Sequence, residues 1–166
     1  TSVGDSPFKK DYEDSTFFTG HGMKAPSHSV LRLHHSSPVM LAYVNPWFEY
    51  TRGGGVSARA LFTANRPWAQ ENVPLLRKGG VDVVVYSHGN NERQKFLGAN
   101  ETEYMLRCFD ALLIEAERHP HTVLIRTRRD LDRARREHKL GILLHLTGAP
   151  INGSLAVLRA YQRLGV

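Results

Sequence analysis

Nine histidines are the first place to look for chemistry, because imidazole serves as a metal ligand and as a general base near neutral pH. His34 and His35 are adjacent at the end of a helical stretch and cannot easily both face one ion. His119 and His121 flank Pro120 in a turn open to solvent. His88 follows the apolar run VDVVVYS, and His145 lies near the end of LGILLHL. Active sites of α/β barrels gather at the C-terminal ends of their strands, so His88 and His145 form the candidate metal pair. No Asp, Glu or Cys in a matching position completes it. The plain expectation is therefore a satisfied or exposed histidine at each position. Ser87 and His88 are neighbours, and strand neighbours point to opposite faces, so they are not read as a nucleophile and its base.

Other chemistry is limited. The single cysteine, Cys108, excludes an internal disulfide framework and a Cys-rich zinc site, and falls on an apolar helix face as a small buried hydrophobe. Gly53, Gly54 and Gly55 lack the lysine pattern or the strand–helix context of a phosphate cradle. Trp47 and Trp68 each follow a proline and read as packing anchors. The segment RTRRDLDRARREHK carries seven Arg or Lys against three acids. Its plain reading is a solvated outer helix with Asp132 and Arg136 as an i,i+4 pair. Its functional reading sets Arg128, Arg129, Arg133 and Arg136 against nucleic-acid phosphate or an acidic subunit. No aromatic interleaving or RNA-binding motif accompanies it, so nucleic acid is the weaker expectation.

The elements that must carry these residues alternate. HSVLRLHH reads as a short helix, and PVMLAYV as a strand buried on both faces. TRGGGVSAR reads as a flexible loop, and ENVPLLRKGG as about one helical turn ended by Gly79-Gly80. VDVVVYS is a second strand. Asn100 or Thr102 can cap a helix whose apolar stripe is Met105, Cys108, Phe109, Leu112, Leu113 and Ala116. Pro120 ends it. TVLIRT is a third strand, a basic helix follows, LGILLHL is the fourth strand and SLAVLRAYQRL the last helix. Strand–helix alternation through short connections argues for parallel βαβ units, as a doubly wound sheet or as half of a (βα)8 barrel, which takes about 250 residues in full.

A chain of 166 residues suffices for one core. Its 41% hydrophobic and 23% charged residues are ordinary for a globular protein. No apolar run reaches the roughly 18 residues of a membrane span, and the N-terminus shows no apolar signal core. The formal charge of +6 and pI near 9.7 suit an anionic partner without choosing one. With one cysteine, a cytoplasmic or organellar-matrix setting is expected. Residues 1–27 read as an extended arm anchored by Phe17 and Phe18, and residues 28–166 as the folded domain.

From Val30 onward the chain resembles the N-terminal half of the renal (membrane) dipeptidase family, zinc metallopeptidases built on a (βα)8 barrel. ENVPLLRKGGVDVVVYSHG resembles that family's proline, leucine-arginine and double-glycine segment with its following strand. The run from Thr102 to Lys139 resembles its long helix, the strand after HP and a short basic helix; SLAVLRAYQRLGV resembles the helix before its fifth strand. The metal signature departs from the family's. Its first strand ends in Asp-Gly-His-x-Asp, where Leu41-Ala42-Tyr43-Val44-Asn45 stand here. Tyr43 thus replaces a ligand His and Asn45 a ligand Asp. The family's bridging Glu, at the end of strand four, is Thr147. The remaining ligands, two His and an Asp, belong to the family's later half.

What the resemblance implies is a dipeptidase-like partial barrel without its dinuclear zinc site, hence a pseudoenzyme or structural subunit with no cofactor. A half-barrel leaves sheet edges open, so a second half, a second copy or a larger assembly is expected to cover it. The rival expectation is part of a zinc dipeptidase whose other half supplies ligands. A third is a small doubly wound binding domain.

Overall fold

The computed structural model describes residues 27–44, 46, 48–50, 55–63, 72–89, 100–148 and 150–166. The arm with Phe17 and Phe18, together with Asn45, Trp47 and Trp68, lies outside the described residues. In chain order the elements are α1 (His28–Ser36), β1 (Met40–Val44), β2 (Glu49–Tyr50), β3 (Val56–Ser57), a 3-10 helix (Arg59–Phe62), α2 (Val73–Lys78), β4 (Val83–Gly89), α3 (Glu101–Arg118), β5 (Thr122–Leu124), α4 (Arg128–Arg136), β6 (Leu140–Thr147) and α5 (Leu155–Leu164).

The four apolar runs pair in parallel into one sheet in the order β1-β4-β6-β5. This is an α/β fold of the kind a partial α/β barrel provides. A half-barrel keeps its strands side by side in chain order, which would set β5 between β4 and β6. Here β6 takes that place. β4 and β6 match over seven registered pairs, whereas β5 has only three residues and pairs with Leu140, Gly141 and Ile142 alone.

Two other expectations are corrected. The loop reading of TRGGGVSAR missed β3, which pairs antiparallel with β2. Strands of two residues are too short to show any period. PVMLAYV is not buried on both faces: Met40 is 57% exposed and Leu41 38%. β1 is an edge strand with β4 as its one ladder partner among the described residues.

Caps set the helix starts. Asn100 Oδ1 accepts from the Glu103 amide at 2.9 Å, and Glu101 and Glu103 complement the positive end of α3. Thr102 does not cap; its hydroxyl donates to the Pro150 carbonyl at 2.6 Å and so ties the β6–α5 connection to α3. The stripe of α3 is buried at Met105, Cys108, Phe109, Leu112 and Ala116, with Leu113 half-buried, and joins Val84, Tyr86, Ile142 and Leu144 in the core. Burying each large side chain contributes about 1.5–3 kcal/mol. At the far end the Thr122 hydroxyl donates to the Ala116 carbonyl at 2.7 Å, fixing β5 against the last turn of α3.

Asp82 and Gly141 control the strand entries. The Asp82 carboxylate accepts from the Val39 amide at 2.8 Å, and its carbonyl accepts from Gly141 N–H at 2.8 Å, so one residue ties β1 to β4 and β4 to β6. A Cβ at Gly141 would lie 3.0 Å from Ile125 Cγ1 and 3.2 Å from Val83 Cγ2. Gly141→Val should therefore destabilise the fold by about 1–3 kcal/mol through overpacking, read as a lower urea midpoint at unchanged m-value. An unshifted midpoint would show that β6 does not pack this closely on β4.

Candidate functional site

The parallel register sets Ser87 beside His145 and Gly89 beside Thr147. Registered residues of parallel strands share a face, so Ser87, His145 and Thr147 project to the same side near the C-terminal strand ends. Ser87 Oγ lies 3.0 Å from His145 Nδ1 and 2.9 Å from Thr147 Oγ1. If Nδ1 accepts, Ser87 donates to His145 and Thr147 donates to Ser87; with the proton on Nδ1, both directions reverse. Either way the three side chains form a hydrogen-bonded chain centred on Ser87, which is only 8% exposed. The sequence reading weighed Ser87 against His88 alone and missed this pairing. The signal that would have found it is register: Ser87 and His145 each sit four residues beyond the paired Val83 and Gly141.

His88 belongs to the other face. Its Nε2 is 3.2 Å from the Tyr104 hydroxyl, and its ring meets Phe48 edge-on at 5.0 Å between centroids. It is 2% exposed, a core histidine packed under α3. His88 and His145 therefore do not form one site, because their positions differ by an odd step along registered strands. Among the described residues, no group of three or more His, Cys, Asp or Glu side chains could hold a metal ion. Tyr43 lies on β1, but its side chain, like Asn45 and the side chains of His34 and His35, is outside the described residues. Thr147 is exposed at the end of β6. Chemically, Ser87 and His145 are close enough to exchange a proton, and Thr147 extends the chain with a second neutral hydroxyl.

A second feature lies around α4. Thr127 caps it with a full capping box: its hydroxyl oxygen accepts from the Asp130 amide at 3.3 Å, and Asp130 Oδ2 accepts from the Thr127 amide at 2.9 Å. The Thr127 hydroxyl, the Arg126 and Thr127 amides and the charge of Arg133 hold the Asp130 carboxyl below its ordinary range. Asp130 also pairs with Arg133 at 3.6 Å. The expected Asp132–Arg136 pair is absent among the described residues. Beside the helix, a cleft of about 780 Å³ runs between the end of α3, β5 and α4; Arg118, Arg126, Arg129, Arg133 and Lys139 supply its positive walls. Arg126 pairs with Glu117 at 3.6 Å and Lys139 with Glu137 at 2.8 Å. Arg118, Arg128, Arg129, Arg135 and Arg136 are exposed and have no ion-pair partner among the described residues.

His119 and His121 sit at the same end of α3, with ring centroids 5.8 Å apart. Partial burial, then the charges of His121 and Arg77, push the His119 imidazole below its ordinary value; Glu115 opposes them. Burial, then Arg77 and Lys139, push His121 the same way.

No protein-family model matches the chain, and no curated protein matches it. Among solved structures, an amidohydrolase from Pseudomonas aeruginosa is similar with a TM-score of 0.53 at 16% identity, over 81% of this chain and 34% of that one. A likeness at this identity is one of fold, and the fold is one that a hydrolase uses. The chain spans about a third of the length of that structure. No described helix is long and apolar enough to cross a membrane.

Two outcomes follow from these geometries. Ser87→Ala leaves His145 and Thr147 without their common partner and should cost about 1–2 kcal/mol in urea unfolding; Thr147→Ala, at an exposed position, should cost less. Equal costs would mean that the chain of hydroxyls is not held as described. For His119 and His121 the folded state favours the neutral imidazole. The unfolded chain takes up protons near the ordinary 6.5, so stability is full above that pH and falls as pH drops below it, levelling once the folded groups also protonate. Thermal melts of a His119→Asn, His121→Asn variant should show a flatter decline below that pH than the parent.

Proposed function

We propose that the chain is a dipeptidase-like relative without a dinuclear zinc site, acting through packing and interaction surfaces in a larger assembly. The observation that carries this reading is the chain Thr147–Ser87–His145, which contains no carboxylate. It stands where the resemblance places a carboxylate bridging two cations. Such a bridge must supply negative charge as well as oxygen atoms. A threonine hydroxyl engaged with Ser87 supplies no charge, and Tyr43 and Asn45 are likewise neutral replacements for His and Asp. No catalytic residue is assigned, and no cofactor is required.

The sheet supports a partner. Residues 143–147 of β6 have β4 on one side and no strand on the other among the described residues, and β1 exposes Met40 and Leu41 at the opposite edge. Open edges of this kind pair with other chains unless covered. A second part of a barrel, another copy of the chain or a neighbouring subunit would meet the need. The cytoplasm or an organellar matrix is the setting proposed.

A second reading has one observation in its favour: the solved amidohydrolase is far longer than the matched region. On that reading the chain is part of a zinc-dependent hydrolase of dipeptides, with the missing ligands supplied from elsewhere.

Native mass spectrometry with metal analysis on the same sample separates the two. A metal-free subunit held by other macromolecules is expected. About two zinc ions per subunit would establish the hydrolase instead. A chain with Tyr43→His, Asn45→Asp and Thr147→Glu together should still show no zinc-dependent dipeptide hydrolysis on its own. Activity in the unmodified chain would overturn the proposal.

A further inference from the structure

We propose that the outer face of α4 and the cleft beside it bind the phosphate backbone of nucleic acid without regard to base sequence. This does not rest on the reading of the strand ends, since a hydrolase could carry the same face.

The helix geometry comes first. At about 100° per residue, Arg135, Arg128, Arg136, Arg129 and Arg133 fall within an arc of roughly 160°, with Asp132 the one acid among them. Ala134, 1% exposed, and the half-buried Leu131 turn the opposite side to the sheet. Arg129 and Arg133 line the cleft, so the arc continues into a concave surface whose walls carry Arg118, Arg126 and Lys139 against the carboxylates of Glu117, Asp130 and Glu137, five cations to three acids.

Arg133, Arg135 and Arg136 suit the last turn of α4, but stability does not explain the arginines of its first turn. Arg128 and Arg129 occupy the first turn of α4, where the helix dipole disfavours cations and favours anions. Arg129 and Arg133 are like charges at i,i+4, which destabilise a helix by a few tenths of a kcal/mol. An anion lying across the first turn reverses the sign of both effects. Every cation in α4 is arginine, whose planar fork suits bidentate phosphate contact.

An acidic protein is the competing partner, and the surface argues against it. Protein interfaces have an apolar core, whereas nucleic-acid interfaces are polar and strongly positive. Among the described residues, no exposed large apolar residue lies between Arg118 and Lys139.

The test is fluorescence anisotropy of the full chain with a labelled single-stranded RNA of about 20 nucleotides, in salt from about 50 to 200 mM. With some three phosphates neutralised, affinity should fall roughly 20-fold across that range. An Arg128→Gln, Arg129→Gln, Arg136→Gln variant should bind at least about 10-fold more weakly with a shallower salt slope. An Arg32→Gln, Arg159→Gln, Arg163→Gln variant removes the same charge from exposed positions elsewhere and should lose far less. Protection of Arg128, Arg129 and Arg136 from phenylglyoxal by the RNA provides a readout in the unmutated chain. Equal losses in the two variants, absence of protection, or tighter binding of a polyglutamate of matching charge would each overturn the proposal.

Discussion

The ladder between β4 and β6 is the constraint on which the rest of this fold depends. Seven registered pairs, from Val83–Gly141 to Gly89–Thr147, decide at once which residues enter the helix-covered core and which line the other face. A slip of one residue would exchange the faces of a whole strand. Ser87 would then lie beside Leu144 or Leu146, and His145 would turn into the apolar layer under α3. Gly141 guards against this because only a residue without Cβ leaves room for Ile125 and Val83 at its side. Asp82 extends the same control to β1, through its carboxylate on Val39. The register is thus fixed at the strand entries and its chemical consequence appears at the exits.

Two histidines at those exits illustrate how far one step along a strand reaches. His88 is paid into the core, where Tyr104 supplies a hydrogen-bonding hydroxyl and Phe48 an aromatic edge. His145 faces the opposite way and finds Ser87. A buried polar group without a partner costs about 1–3 kcal/mol, so both positions come with hydroxyls supplied by a neighbouring strand or helix. The resulting network around Ser87 contains no carboxylate. Two divalent cations would instead require carboxylates, which Thr147 and its neighbours on β6 do not provide.

Much of this order is legible in the residues. The stripe from Met105 to Ala116 specifies α3, Asn100 its start and Pro120 its end, because helical periodicity and capping are local. The four apolar runs specify parallel strands for the same reason. What escapes is pairing. Nothing local tells that LGILLHL lies against VDVVVYS while TVL stays at the edge, since the choice is made between segments far apart in the chain and in close packing such as that beside Gly141. The Ser87–His145 contact inherits that difficulty, its partners being 58 positions apart. The β2–β3 hairpin escapes because two-residue strands have no period to read. The split of Met40 and Leu41 from the core follows from β1's place at the sheet edge, again a matter of order rather than of composition.

Helix α4 is the element where local and global demands part company. Its capping box, its buried Ala134 and its contacts with β5 and β6 all serve the fold. Arg133, Arg135 and Arg136 complement the negative end of the helix, and Arg133 also pairs with Asp130. Arg128 and Arg129 stand at the wrong end of the dipole, a local rule broken in a sequence whose levels otherwise agree. Asp132 could have paired with Arg136 across one turn, yet it does not do so among the described residues. Arg128, Arg129, Arg135 and Arg136 are left exposed without an ion pair among the described residues. The cluster at the strand ends holds no carboxylate, so the charge of this part of the chain is gathered on its outer helix rather than at the strand exits.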